Sequence, residues 1–232
     1  MESMKRLSLM TLALLLAVNG FAQQPVGTWS VLPKIGVSIA KITGDSFYNE
    51  LGKMDASYKT GVTCGVETEY QAFERVAFSA GLFYAQEGEH FKNFSVETKT
   101  GGYGVSNSDI SLDYLKMPIL ASLYIDHGLS FKLGVQPGYL IHNKVAYDEV
   151  SYTIDEENNR EYDEVVKYRE HIGSDFLKKF QFSIPVALSY EYMNVVLDAR
   201  YAFSLTKPMK APLNDNGRNS VFTFTVGYRF AL

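Results

Sequence analysis

Nine ionisable residues stand at alternating positions within otherwise small or apolar segments: Lys34, Glu67, Glu69, Lys116, Lys132, Glu191, Asp198, Arg200 and Arg229. The two-residue spacing of Glu67/Glu69 and of Asp198/Arg200 puts each pair on one face of a strand. Such a set could do one of two things. It could relay ions or protons along a lumen, or it could neutralise itself as a plug. Five of the nine are basic and four acidic. Near-balance favours the plug, because an unpaired buried charge is strongly penalised while a paired one is tolerable. Asp198 is expected to pair with Arg229, with Lys34 close to that group.

Other chemistries are thinner. His142 lies near Ser151 and several acids, which would suit a hydrolase or acyltransferase only if base and nucleophile came within hydrogen-bond reach. His90, His127, His142 and His171 share no ligand spacing. Asp155-Glu156-Glu157-Asn158 could hold a divalent ion but lacks the EF-hand glycine and spacing. Gly101-Gly102-Tyr103-Gly104 has no strand-to-helix context for a phosphate; so glycine-rich a stretch is expected to hold no single shape unaided. The lone Cys64 excludes an intrachain disulfide and a thiolate zinc site. A formal charge of −4 without a basic cluster argues against nucleic acid. No catalytic, cofactor or metal site is expected, and the protein is read as non-enzymatic.

The elements that must carry the nine charges show a period of two in eight windows, with apolar side chains at 35–39, 62–70, 76–84, 115–125, 131–139, 180–190, 195–201 and 222–230. Windows two and three, four and five, and six and seven are joined by hairpin-length turns. Long segments, Thr43 to Tyr58, Gln86 to Asp113, Ile141 to Lys179 and Ala202 to Ser220, fill the other gaps. Strict short/long alternation predicts an all-β fold: an eight-stranded antiparallel up-and-down transmembrane β-barrel with short periplasmic turns and long extracellular loops.

The two faces differ in chemistry. The apolar stripe carries no charge, whereas about half of the opposite face is Gly, Ala, Ser or Thr and the nine charges fall there. A solvated exterior would be richer in bulky polar residues, while the lumen of an eight-stranded barrel is only wide enough for side chains to fill it. The apolar stripe is therefore expected to face lipid. Tyr70, Tyr190 and Tyr228 fall near the short-turn end, and Tyr84, Tyr139, Phe180 and Tyr201 near the loop end, as interfacial belts would. The alternatives are a soluble, exported lipocalin-like carrier with that stripe inside, and a lipid-modifying barrel enzyme.

Lys5 and Arg6 precede an apolar run from Leu7 to Val18, with Gly20 and Ala22 at the −3 and −1 positions. That is the layout of a secretory signal peptide, expected to span 1–22 and to be removed. Residues 23–32 are read as a short N-terminal extension and 33–232 as the barrel, placed in the outer membrane. The segment from 142 to 178 holds ten Asp or Glu against five Lys or Arg. It is expected to be a solvated acidic loop that could present a surface to a protein partner.

The blocks Gly81 to Glu89 (GLFYAQEGE), Leu112 to Ile125, Leu133 to Ile141, Leu197 to Leu205 and Ser220 to Leu232 resemble, in order, the PorT-like outer-membrane β-barrel family. The resemblance implies an exported eight-stranded barrel. Its name-giving member is associated with the type IX secretion apparatus, so a part in secretion or surface assembly is implied too. The family usually carries an acidic residue before the proline of the fourth strand. Here Lys116-Met117-Pro118 stands instead, which implies a rewired lumen.

Overall fold

The computed structural model describes residues 24–43, 47–49, 52–54, 56–98, 100–126, 128–155, 159–173, 175–210 and 217–232. The expected signal peptide, His127 and Glu156 to Asn158 lie outside them.

Eight antiparallel strands form the wall. The first is Trp29–Thr43, the second Lys59–Phe73 and the third Val76–Phe91. The fourth comes in two pieces, Gly101–Lys116 and Ile119–Asp126. The fifth is Leu129–Ile154, the sixth Phe180–Tyr192, the seventh Val195–Ser204 and the eighth Arg218–Tyr228, with Phe230–Ala231 beyond it. Each strand pairs with its sequence neighbours, and the eighth returns to the first, Ile35 lying opposite Val226 and Val37 opposite Phe224. The ring closes without an edge, as a sheet in lipid must.

The wall already includes Trp29 to Leu32, the last residues of the segment expected as an extension. The break in the fourth strand falls at Met117-Pro118, because proline has no N–H to give the ladder. Continuity survives through two flanking bonds: Met117 N–H donates to the Pro137 carbonyl (2.9 Å) and Gly81 N–H to the Pro118 carbonyl (3.0 Å). The sixth and seventh strands join at Met193-Asn194, both at positive φ (47° and 66°), the geometry that matches the twist of a two-residue hairpin.

The apolar stripe points outward. Ile35, Leu82, Leu133, Leu188, Leu197 and Phe224 are among its exposed members, while all nine charges are buried. A lipocalin-like interior is thereby excluded. Tyr190 and Phe180 lie ten residues apart on the sixth strand. At ~3.3 Å per residue and a tilt of ~40°, that spacing spans about 25 Å, the height of an outer-membrane apolar band. Tilted ring pairs stand at both ends of the wall: Trp29 with Tyr70 (4.9 Å) and Tyr228 with Phe230 (4.8 Å) toward the short turns, and Tyr201 with Phe222 (4.6 Å) toward the opposite end.

Two expected loops are corrected. The third, fourth and fifth strands do not stop at the upper belt but continue beyond it. Gly101 to Asp113 pairs with His142 to Thr153, flanked by short strands Phe94–Thr98 on one side and Val166–Glu170 and Arg160–Tyr162 on the other. Much of the acidic 142–178 segment is thus an upright sheet rather than a solvated loop. Gly101, Gly102 and Gly104, expected to hold no single shape, are ladder residues. Gly102 is required by a close approach: a Cβ there would stand 2.4 Å from the Val96 carbonyl and 2.6 Å from the Tyr152 hydroxyl.

Candidate functional site

The best-defined constellation is the filled lumen. Period two on eight strands converges the charges, and the register sets their levels. Nearest the short turns, Arg229 holds Glu191 through Nε (2.8 and 3.0 Å) and Glu69 through Nη1 (2.8 Å). Its Nη2 donates to the Tyr124 hydroxyl, which in turn donates to Glu69 (2.8 Å). One level up, Glu67 is the hub. Lys34 (3.1 Å), Lys132 (3.2 Å) and Arg200 (3.3 Å) all converge on its carboxylate. Asp198 lies 3.5 Å from Lys34 and 3.6 Å from Arg200. Higher still, Lys116 meets Glu87, whose other oxygen accepts from the Asn219 amide (3.1 Å).

The structure brings all nine residues into this column but not in the expected pairing. Asp198 is with Lys34, Lys132 and Arg200, while Arg229 is taken by Glu69 and Glu191. The reason is register: Asp198 faces Thr225 on the eighth strand, and Arg229 lies four residues nearer the turns. Sequence reasoning missed Glu87 because it lay in a segment read as loop. The signal was there, since 87, 89 and 91 continue the inward parity of 77 to 85. With Glu87 included, the column holds five carboxylates and five cations. A cavity of about 20 Å³ between Glu87, Lys116 and Arg200 has room for roughly one water.

Above the charges the lumen turns apolar. Ile42, Phe91, Ile110, Leu112, Tyr114 and Leu140 form a plate, closed from above by Leu177 and Met209. Those two come from the segments after the fifth and seventh strands, which zip together across the mouth: Lys178 N–H donates to the Pro208 carbonyl (2.8 Å) and Lys210 N–H to the Phe176 carbonyl (2.9 Å). Glu89 is buried at this level, five residues past the belt residue Tyr84, and its Oε1 has no hydrogen-bond partner among the described residues. Burial pushes its carboxyl up to about 7, against the pull of Lys41.

In the upright sheet, Asp148 accepts from the Asn107 amide (2.9 Å) and Arg169 (2.8 Å), and these bonds hold its carboxyl below the usual aspartate range. Arg160 grips Glu97 with both contacts near 3 Å. The histidine–serine idea fails on geometry. Nine residues along an extended strand put Ser151 about 30 Å from His142. His142 instead lies edge-to-face with His171, ring centroids 5.1 Å apart. Asp155 spends both carboxylate oxygens on Asn159. Among the described residues, no three His, Cys, Asp or Glu are placed to hold a metal.

Residues 21–209 match the family described as outer membrane protein beta-barrel domain. No curated protein sequence matches this one. Solved structures that are similar include Ail, the attachment invasion locus protein of Yersinia pestis (13% identity, 88% of this chain and 100% of that one covered, TM-score 0.40). Neisserial surface protein A is another (14%, 87% and 97%, TM-score 0.41). A third is the outer membrane protease OmpT of Escherichia coli (11%, 88% and 97%, TM-score 0.34).

Proposed function

This chain belongs to the outer membrane protein beta-barrel domain family and resides in the bacterial outer membrane, and from that premise we propose that it is a non-enzymatic barrel with a closed lumen, whose work is to hold an extracellular sheet in place for a protein partner. The observation that carries this reading is the contrast along the axis. Five carboxylates and five cations neutralise one another below, and Leu177 and Met209 seal the mouth. Meanwhile three strands spend many residues on a structure outside the membrane. A conduit would need water where side chains stand. A presenting scaffold needs what is found: a rigid base and loops stiffened into strands.

The PorT-like blocks of the sequence support a finer version, in which the partner is a component of a secretion or surface-assembly apparatus. Embedding in outer-membrane lipid is the only other partnership required, and no cofactor enters.

The test uses the full chain and a variant lacking residues 147–170, each expressed in its own outer membrane and treated with a cross-linker. The full chain should give a discrete cross-linked band that the truncated chain loses, while both keep the heat-modifiable gel mobility of a folded barrel. Identical cross-link patterns would end the presenting role. Steady ionic conductance from the full chain in planar bilayers would end the closed-lumen part.

A further inference from the structure

The upright sheet segregates charge between its two faces. Val145 packs on the plate beneath the mouth, so its face of the fifth strand looks over the mouth. Tyr147 and Glu149 share that face, and register adds Tyr168 and Glu170 from Val166–Glu170, with Tyr103 and Val105 from the fourth strand. Arg160–Tyr162 adds Glu161 opposite Thr153. On the strands 101–110, 142–154, 160–162 and 166–170, every lysine and arginine lies on the reverse face: Lys144, Arg160, Lys167 and Arg169. There Asp148 and Glu97 neutralise two of them. On these strands the mouth-facing side has three carboxylates, Glu149, Glu161 and Glu170, and no cation. Neither Glu149 nor Glu170 makes an ion pair among the described residues.

We propose that this mouth-facing wall binds a lysine- or arginine-bearing segment of a protein partner. The inference rests on the presenting role above and names the chemistry of what is presented to. Tyr147 and Tyr168 stack at 4.7 Å between centroids and 20° between planes, offering a broad aromatic face. Glu149 and Glu170 pair in register with Val166 and Val145, two residue pairs away on either side of that stack and so the next positions on the same face. An ammonium or guanidinium over such a ring gains from its quadrupole as well as from the carboxylates. The same chemistry already operates within the sheet, where Arg160 lies 5.2 Å over the Tyr152 ring. Anions would meet repulsion on this face, and a neutral chain would leave the carboxylates unused. Segregation by face also fixes which side a cationic partner approaches, since like charges juxtaposed on the reverse face would oppose it.

The experiment places the full-length protein in zwitterionic nanodiscs, with empty discs as the blank. It measures binding of three fluorescent twelve-residue peptides matched in length: one alternating Lys and Arg with Gly and Ser, one neutral and one acidic. The basic peptide should bind at least about tenfold more tightly than the neutral one, and less tightly as salt rises. Glu149→Gln combined with Glu170→Gln should weaken the basic peptide about tenfold, and Tyr168→Ala should weaken it further, while Lys167→Gln on the reverse face leaves it unchanged or slightly tighter. Both Glu→Gln changes are at sites with no ion pair to lose, so folding is retained and read from heat-modifiable mobility. Equal binding of basic and neutral peptides overturns the inference, as does loss of binding only with reverse-face changes. If the truncated chain loses its cross-linked band and yet the basic peptide shows no preference, this inference falls and the presenting role stands. If truncation leaves the cross-links intact, the presenting role itself falls.

Discussion

The lumen is filled twice, by opposite means. Near the short turns the filling is ionic: Lys34, Lys132 and Arg200 all converge on Glu67, with Asp198 beside them. Near the mouth it is apolar: Leu112, Tyr114 and Met209 are fully buried in a plate of uncharged side chains, with the carboxyl of Glu89 buried at that level. The two halves should respond differently to damage. An ion network is all-or-nothing, since removing one partner strands the others in a medium that cannot solvate them. An apolar plate is graded, since a lost side chain forfeits its own burial and whatever cavity the neighbours fail to fill.

The largest effect is therefore expected at the hub. Glu67→Ala leaves three buried cations short of a carboxylate and should destabilise the barrel by about 3–5 kcal/mol. Urea unfolding in detergent, followed by heat-modifiable mobility, measures it. A loss below about 1 kcal/mol would mean that water reaches the column and that the lumen is not filled there. Charge placed on the other side of the same wall makes the matching control. Leu188 faces Phe131 across the fifth–sixth strand ladder, one residue from the Ala187–Lys132 pair. Lys132 is accommodated inside, whereas Leu188→Arg, at the same height but outward, should cost about 2–4 kcal/mol in a bilayer. Little cost in lipid would place that stripe away from acyl chains.

The plate should show the graded behaviour. Leu112→Ala removes a fully buried side chain and should cost about 3 kcal/mol in the same unfolding assay. Leu112→Met, which keeps volume, should recover most of it. The isosteric exchange at Glu67 offers no such recovery, because a neutral Gln still leaves the cations unmatched. If Glu67→Gln and Leu112→Met proved equally mild, the distinction between the halves would collapse.

Much of this was legible in the sequence because an eight-stranded barrel ties side-chain parity directly to environment. Lys34 through Arg229 could be sorted as lumen residues from alternation alone, and strand order followed from turn lengths. Pairing within the column was not legible. Which carboxylate meets which cation depends on stagger between strands, and a shift of a few residues exchanged Arg229 for Lys34 and Arg200 at Asp198. Nor was the end of the membrane distinguishable from the end of a strand. At Glu87, Glu89 and Phe91 the inward parity runs on, but the outward positions cease to be apolar at Gln86 and Gly88. That shift reads as a loop when lipid contact is taken for the mark of a strand. The plate was missed for a further reason. Leu177 and Met209 meet it from segments with no period at all, and only tertiary packing gives them a role.

Glu89 tests the boundary between the halves most finely. It is a carboxyl at the level of the apolar plate, above the outer belt, with its pKa raised to about 7 from 4.5. The folded protein therefore prefers it protonated. Below pH 4.5 the group is neutral in folded and unfolded chains alike, and burial there carries no ionisation penalty. As pH rises from about 4.5 to 7 the unfolded chain releases a proton that the folded one retains, so stability falls, and above about 7 the loss is complete. Glu89→Gln should abolish this part of the pH dependence and leave the variant more stable than the parent by about 3 kcal/mol at pH 8, with little difference at pH 4.5. Unfolding midpoints across that range decide it. A parent more stable than Glu89→Gln at pH 8 would show the carboxylate ionised and paired, which would extend the ionic column to the mouth and erase the line between the two fillings.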